Sequence, residues 1–176
     1  MRHPRRKAAP LALVILALLL WLARGPLKDI FEPKPAPSGE WRIVVRVIDG
    51  DTLELDGGER VRLIGVDAPE SQDFGRGKEV CGREATNFVR RMVADQRVRL
   101  AYDWQRYDNT RSKRTLAYVY LEDGTFLNAE IIRQGYAHAY RKFHYRYKEE
   151  FLRHELEAHE EQRGCLPLRA PYMRRE

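Results

Sequence analysis

The sequence predicts a small β-barrel with helices (α+β): a five-stranded Greek-key barrel of OB type packed with three α-helices, behind an N-terminal hydrophobic leader. Three observations carry this expectation. Short alternating apolar and charged runs recur between Trp41 and Asn128, separated by Asp-Gly and Gly-Gly turn signals. Helical spacing is confined to three stretches, near residues 79–93, 128–134 and 147–163. The first 25 residues are basic and then apolar, unlike anything that follows.

In chain order, "MRHPRRKAAP" is a positive segment and Leu11 to Ala23 an unbroken apolar run. The run is shorter than the roughly 20 residues usual for a membrane span and has signal-peptide length. Cleavage after Gly25 would be followed by Pro26, and cleavage after Ala23 would leave the bulky Trp21 at −3, which favours an uncleaved anchor over a signal peptide. Either way the remaining chain is expected outside, anchored on the outer side of a membrane or secreted or periplasmic. Residues 26–40 read as a Pro-rich linker, 41–168 as the folded domain and 169–176 as a tail.

"WRIVVRVIDGDTLEL" is a long strand broken at Asp49-Gly50-Asp51. After the turn "DGGE", "RVRLIGV" alternates Val61 and Leu63 with Arg60 and Arg62, one face inward and one outward. Ala85, Phe88, Val89 and Met92 line one face of a helix over Glu79–Val93, and "QRVRLAYD" is a further strand. "RTLAYVYLEDGTFLN" suggests a hairpin around Asp123-Gly124, with Asn128 as cap of a short helix ending before Gly135. The last helix is expected from about Tyr147 to Arg163 with Leu152, Leu156 and Ala158 inward.

At 176 residues, 43% hydrophobic and 33% charged, the chain has room for one domain with a solvated surface and is too apolar for disorder. Its net charge of +6 says little about partners. Residues 1–40 hold 7 basic and 3 acidic side chains, a balance of +4, while residues 41–176 hold 25 and 23, a balance of +2. Any basic surface must come from arrangement. The five histidines show no HxxxH or HExxH spacing and the two cysteines are too few for a structural zinc site, so zinc chemistry is excluded. In an exported chain Cys81 and Cys165 can form one disulfide; two free buried thiols are the alternative.

Strand-borne acids need a reason, since carboxylates are depleted in strands and costly to bury unpaired. Asp51 closes one strand segment and Asp67 the next, so pairing could bring both to one barrel end. Two carboxylates side by side require a proton or a cation, and a hard cation ligated by oxygens suits them. Arg62 fits the same logic as a bidentate phosphate ligand, and Glu70, beyond Pro69, can orient or deprotonate a water. Taken singly, each has a bland explanation: Asp49 a turn former, Asp51 or Asp67 a strand-end cap, Arg62 an outward strand residue, Glu70 a solvated loop acid. The set at this spacing carries the information.

That set, "IDGDTLEL" followed by "VRLIGVDAPE", resembles the thermonuclease family typified by staphylococcal nuclease. The resemblance continues through "CGREATNFVRRMV", "RTLAYVYLEDGTFLNAEIIRQGYA" and the C-terminal helix, covering about residues 42 to 165. It implies an OB-type barrel with three helices and calcium-dependent hydrolysis of phosphodiester bonds in DNA and RNA. It also implies Ca2+ ligation by the Asp51 and Asp67 carboxylates and the Ala68 carbonyl, with Asp49 in support. Glu70 would position or activate water, Arg62 would bind phosphate, and Arg114 would meet the charge of the transition state.

There are departures. Ala68 stands where the family often has Thr. "DNTRSKR" replaces the usual pattern before "LAY", with Ser112 in place of a stacking tyrosine and Arg111 and Lys113 as possible substitutes for Arg114. "SQDFGRGKEV" resembles a loop beside the substrate groove. "YRKFHYRY", Tyr140 to Tyr147, suits either stacking on a single strand or a partly buried rim. The partners implied are DNA and RNA, single strands preferred, with N-terminal membrane insertion and no obligate protein partner. The alternative is a non-catalytic OB-type module binding nucleic acid or protein.

Overall fold

Five strands close a barrel in the order β1-β2-β3-β6-β5, as seen in a computed structural model that describes residues 37–71, 81–108 and 113–166. The leader, most of the linker, residues 72–80 of the "SQDFGRGKEV" loop, Arg111, Ser112 and the tail lie outside the described residues. The strands are β1 (Ser38–Asp49), β2 (Thr52–Leu55), β3 (Arg60–Leu63), β4 (Val66–Asp67), β5 (Arg97–Ala101), β6 (Thr115–Leu121) and β7 (His138–Ala139). The helices are α1 (Gly82–Val93), α2 (Leu127–Arg133) and α3 (Lys148–Glu160). Among the described residues no helix is long and apolar enough to cross a membrane.

The long first strand folds back on itself. Gly50 and Asp51 form a hairpin turn, with Asp49 opposite Thr52, so Asp51 lies in the turn just before β2 rather than closing a segment. β2 runs antiparallel to β3 with Thr52 opposite Arg62. β3 then runs parallel to β6, with Arg62 opposite Leu116, and β5 pairs with both β6 and β1 to complete the barrel. β1 begins at Ser38, within the stretch read from the sequence as linker.

Period-two alternation fills the barrel: Leu53, Leu55, Val61, Leu63, Val98 and Val119 are all buried. β3 ends where Gly65 takes φ 78, and a Cβ there would lie 2.5 Å from the Tyr145 ring and 2.9 Å from that of Phe151. That close approach turns the chain into β4, which pairs with β7 outside the barrel. The disulfide option holds: Cys81 is bonded to Cys165, with Cα atoms 5.7 Å apart.

Three expectations change. Asp123-Gly124 does form a turn, but the returning strand shrinks to one bridge, Tyr120 with Phe126, before α2 begins. Asn128 is not a helix cap. Its side chain is fully buried, accepts Val119 N at 2.8 Å and donates to Ile64 O at 3.0 Å and Ala117 O at 3.2 Å, because β3 stops pairing with β6 at Leu63 and Ala117 and leaves backbone groups there in need of partners. On α3 the buried residues are Phe151, Glu155 and Ala158, with Leu152 and Leu156 only half-buried. Glu155 can face inward because His138 Nδ1, Ala139 N and Arg141 Nη2 lie 2.8, 3.1 and 2.9 Å from its carboxylate.

Candidate active site

The hairpin turn at Asp49–Asp51 and the end of β4 meet through one carboxylate. Asp51 Oδ2 accepts the backbone N–H of Ala68 at 3.0 Å, which draws the Asp67–Ala68 segment against the β1–β2 turn. Asp51 Oδ1 accepts the Thr52 hydroxyl at 3.0 Å and forms an ion pair with Arg62 Nη1. The Asp51 carbonyl also accepts Leu63 N at 2.8 Å, so both the main chain and the side chain of this residue lock β2 to β3. The Asp51 side chain is only 4% exposed, and these donors keep its charge tolerable there.

Asp49 acts as the turn former it resembles: its Oδ1 accepts Asp51 N at 3.1 Å. Burial pushes its carboxyl up, against the opposing pull of Arg62, Thr52 and Arg114. Arg62 is not an outward strand residue. Its side chain is 19% exposed, and burial lowers its pKa while Asp49, Asp67 and Glu70 raise it and Arg114 adds to the lowering. One guanidinium therefore lies within electrostatic reach of Asp49, Asp67 and Glu70 and in contact with Asp51. Asp67 is half-buried, and Glu70 is exposed just past the buried Pro69.

Arg114 approaches from β6. Its Nε donates to Asp108 Oδ2 at 2.7 Å, its N–H to Asp108 Oδ1 at 3.0 Å, and Nη1 reaches Thr52 Oγ1 at 3.5 Å. Thr52 thus stands between the Asp51–Arg62 pair and the second arginine. Sequence reasoning missed both Thr52 and Asp108. Threonine reads as an ordinary strand residue, and only the cross-strand register puts it beside Arg62; Asp108 carried a signal, as the acid that opens "DNTRSKR". Lys113 is exposed, beside the residues outside the described set. In "YRKFHYRY" the Tyr145 and Tyr147 rings are buried in the core, at 1% and 3% exposure, so they cannot stack on a ligand. Phe143 is exposed, and His144 stacks on Trp104 at 5.5 Å.

The donor set suits a hard cation by its chemistry. Asp51, Asp67 and the Ala68 carbonyl offer oxygens only, and among the described residues no group of three or more His, Cys, Asp or Glu side chains forms a fuller cage. Two carboxylates under-fill a calcium sphere, which leaves room for water and a ligand oxygen.

The staphylococcal nuclease homologue model matches residues 60–165, well over half of the chain. The chain belongs to the staphylococcal nuclease homologue family. It is 40% identical over 132 residues to a thermonuclease of Staphylococcus intermedius, covering 73% of this chain and 75% of that one. It is 36% identical over 144 residues to a thermonuclease of Staphylococcus hyicus, covering 78% and 81%. An uncharacterized endonuclease of Escherichia coli is 36% identical over 104 residues, covering 57% and 61%. The family match takes in Arg62, Asp67, Ala68, Glu70 and Arg114 but opens after Asp51, whose place beside Arg62 and Ala68 comes from the fold itself.

Proposed function

We propose that this protein is an exported, calcium-dependent nuclease that hydrolyses phosphodiester bonds in DNA and RNA. The observation that carries the reading is the Asp51–Arg62 pair, backed by Ala68 N and linked through Thr52 to Arg114, in a member of the staphylococcal nuclease homologue family. Arg62 presents a planar fork to a phosphate from a half-buried position, where burial lowers its pKa and Asp49, Asp67 and Glu70 oppose that shift. Arg114, gripped by Asp108 on one edge, supplies a second positive charge where the pentacovalent phosphorus develops negative charge. Glu70, exposed at the lip, holds the attacking water and takes its proton. Asp51, Asp67 and the Ala68 carbonyl would hold calcium, which supplies Lewis-acid polarisation of a phosphate oxygen.

Single strands are the favoured substrate form. Trp104, Tyr107 and Phe143 expose their rings, and Arg106 and Lys142 adjoin the last two in sequence, a mixture that suits base stacking with phosphate contact. The hydrophobic leader supports export, with the domain anchored on the outer side of a membrane or released, and the Cys81–Cys165 disulfide suits an oxidising compartment.

The test is to incubate the full chain with denatured DNA and with RNA, first with calcium and then with a chelator. Fragments only with calcium are expected. Fragments that persist in chelator would remove the metal from the reading, and none under either condition would favour the non-catalytic binding module.

A further inference from the structure

The first turn of α1 forms the back wall of the acid site. A Cβ built on Gly50, between Asp49 and Asp51, would lie 2.7 Å from Ala68 Cβ and 2.9 Å from Ala85 Cβ. A Cβ built on Gly82 would lie 2.2 Å from the Glu70 carbonyl oxygen and 2.6 Å from its carbonyl carbon, with Ser71 Cα at 3.0 Å. The main chain of Glu70 therefore rests directly on the first residue of α1, with no side chain between them. The residue before it, Cys81, opens the helix: its carbonyl accepts Ala85 N at 2.9 Å. Cys81 sits at φ 74, a left-handed conformation that a non-glycine residue keeps only when its surroundings impose it.

What holds Cys81 is the bond to Cys165, 84 residues further on. Cys165 is itself fixed, since its N–H donates to the Gly135 carbonyl at 3.2 Å, just past the end of α2. The wall under Glu70 is thus tied covalently to the segment that follows α3 and lies beside the end of α2.

We propose that the Cys81–Cys165 disulfide positions Glu70, so that hydrolysis is fast only while the bond is oxidised. The proposal rests on the nuclease reading and on the role given there to Glu70. A dithiol reductant would pass two electrons and two protons to the Sγ–Sγ bond, giving two thiols and its own disulfide; reoxidation reverses this. With the tether cut, Cys81 can leave its strained conformation, Gly82 no longer pins the Glu70 backbone, and the carboxylate loses its placement. Arg62 sits on β3 and Arg114 immediately precedes β6, held by Asp108 and Thr52, and neither arginine is bonded to a cysteine-bearing segment through those contacts. A chain that has not yet met an oxidising compartment would be a slow nuclease, sparing the nucleic acid of the cell that makes it.

The test compares the oxidised full chain with the same protein in dithiothreitol, on denatured DNA with calcium, at a temperature where circular dichroism shows both folded. Reduction should lower kcat about 10²-fold while KM stays within about twofold, and reoxidation should restore the rate. Gly82→Ala, with its disulfide intact, should show the same loss, and Cys81→Ser/Cys165→Ser should be slow and indifferent to reductant. In Glu70→Gln the residual rate should not respond to reductant, which a merely destabilising bond break would not produce. Equal kcat for the oxidised and reduced native chain, or an equal fractional loss in Glu70→Gln, overturns the proposal. If the oxidised chain cleaves nothing, the nuclease reading alone has failed. Amide hydrogen exchange at Glu70 and Ser71 then decides: faster exchange on reduction supports the tether, and unchanged protection overturns it.

Discussion

Arg62 and Asp51 form an ion pair across the β2–β3 ladder, one register step from the directly opposed Thr52. The pair does two things at once: it neutralises a carboxylate that is almost fully enclosed, and it holds a guanidinium at the mouth of the barrel among three further acids.

Arg62→Ala should therefore lose both function and stability. We expect a rate on denatured DNA lower by on the order of 10³. Leaving Asp51 with Thr52 and Ala68 as its donors among the described residues should cost about 1–3 kcal/mol in urea denaturation. A variant within tenfold of the native rate would take the phosphate away from Arg62.

Arg114 is oriented from Asp108 on one side and reaches Thr52 on the other. Arg114→Ala should also cost on the order of 10³ in rate, with Asp108→Asn losing a smaller part through misalignment. If Arg114→Ala costs less than tenfold while Arg111 is intact, Arg111 or Lys113 carries the charge instead. Steady-state kinetics on each single variant makes the distinction.

Asn128 serves three backbone groups from a fully buried position. Asn128→Leu keeps the branched, four-heavy-atom side chain but leaves Val119 N–H and the Ile64 and Ala117 carbonyls without this partner. The expected cost is about 3 kcal/mol, read as a fall in urea midpoint at unchanged slope. A change below a few tenths would mean that water can replace the amide.

Glu155 makes stability depend on pH. Burial alone would push its carboxyl up, but the His138 hydrogen bond, the Arg141 charge and the Ala139 N–H outweigh it and hold the group below its ordinary value of 4.5. A carboxylate with a depressed folded pKa contributes stability that is fully present above the unfolded value and is lost as pH falls through the folded one. Glu155→Gln should therefore be less stable than the native chain at pH 7, and the gap should close as pH drops below 4.5. A gap that stays constant from pH 7 to 3 would show that the charge contributes nothing.

Much of the barrel was legible because strands announce themselves locally. Val61 and Leu63 alternate with Arg60 and Arg62, and α1 repeats Ala85, Phe88, Val89 and Met92 on one face; both patterns report burial through neighbours a few residues away. The misreadings arose where a partner lay far along the chain. Asn128 reads as a cap because asparagine often caps helices, and its true partners are set by where β3 stops pairing with β6. Leu152 and Leu156 read as the inward face of α3, and Glu155 takes that place only because His138 and Arg141 are brought beside it.

The candidate site divides along the same line. Composition and spacing were enough to single out Asp51, Arg62, Asp67 and Glu70, since acids and arginines in strand-forming stretches are costly and therefore conspicuous; Ala68 and Arg114 were marked only by the resemblance to the thermonuclease family. That Asp51 grips Ala68 N, that Thr52 bridges towards Arg114, and that Glu70 lies on Gly82 beside a disulfide was decided only by the tertiary structure. Those relations join residues 17 positions apart for Asp51 and Ala68 and 62 apart for Thr52 and Arg114, and no local periodicity encodes contacts between segments that meet only when the sheet is assembled.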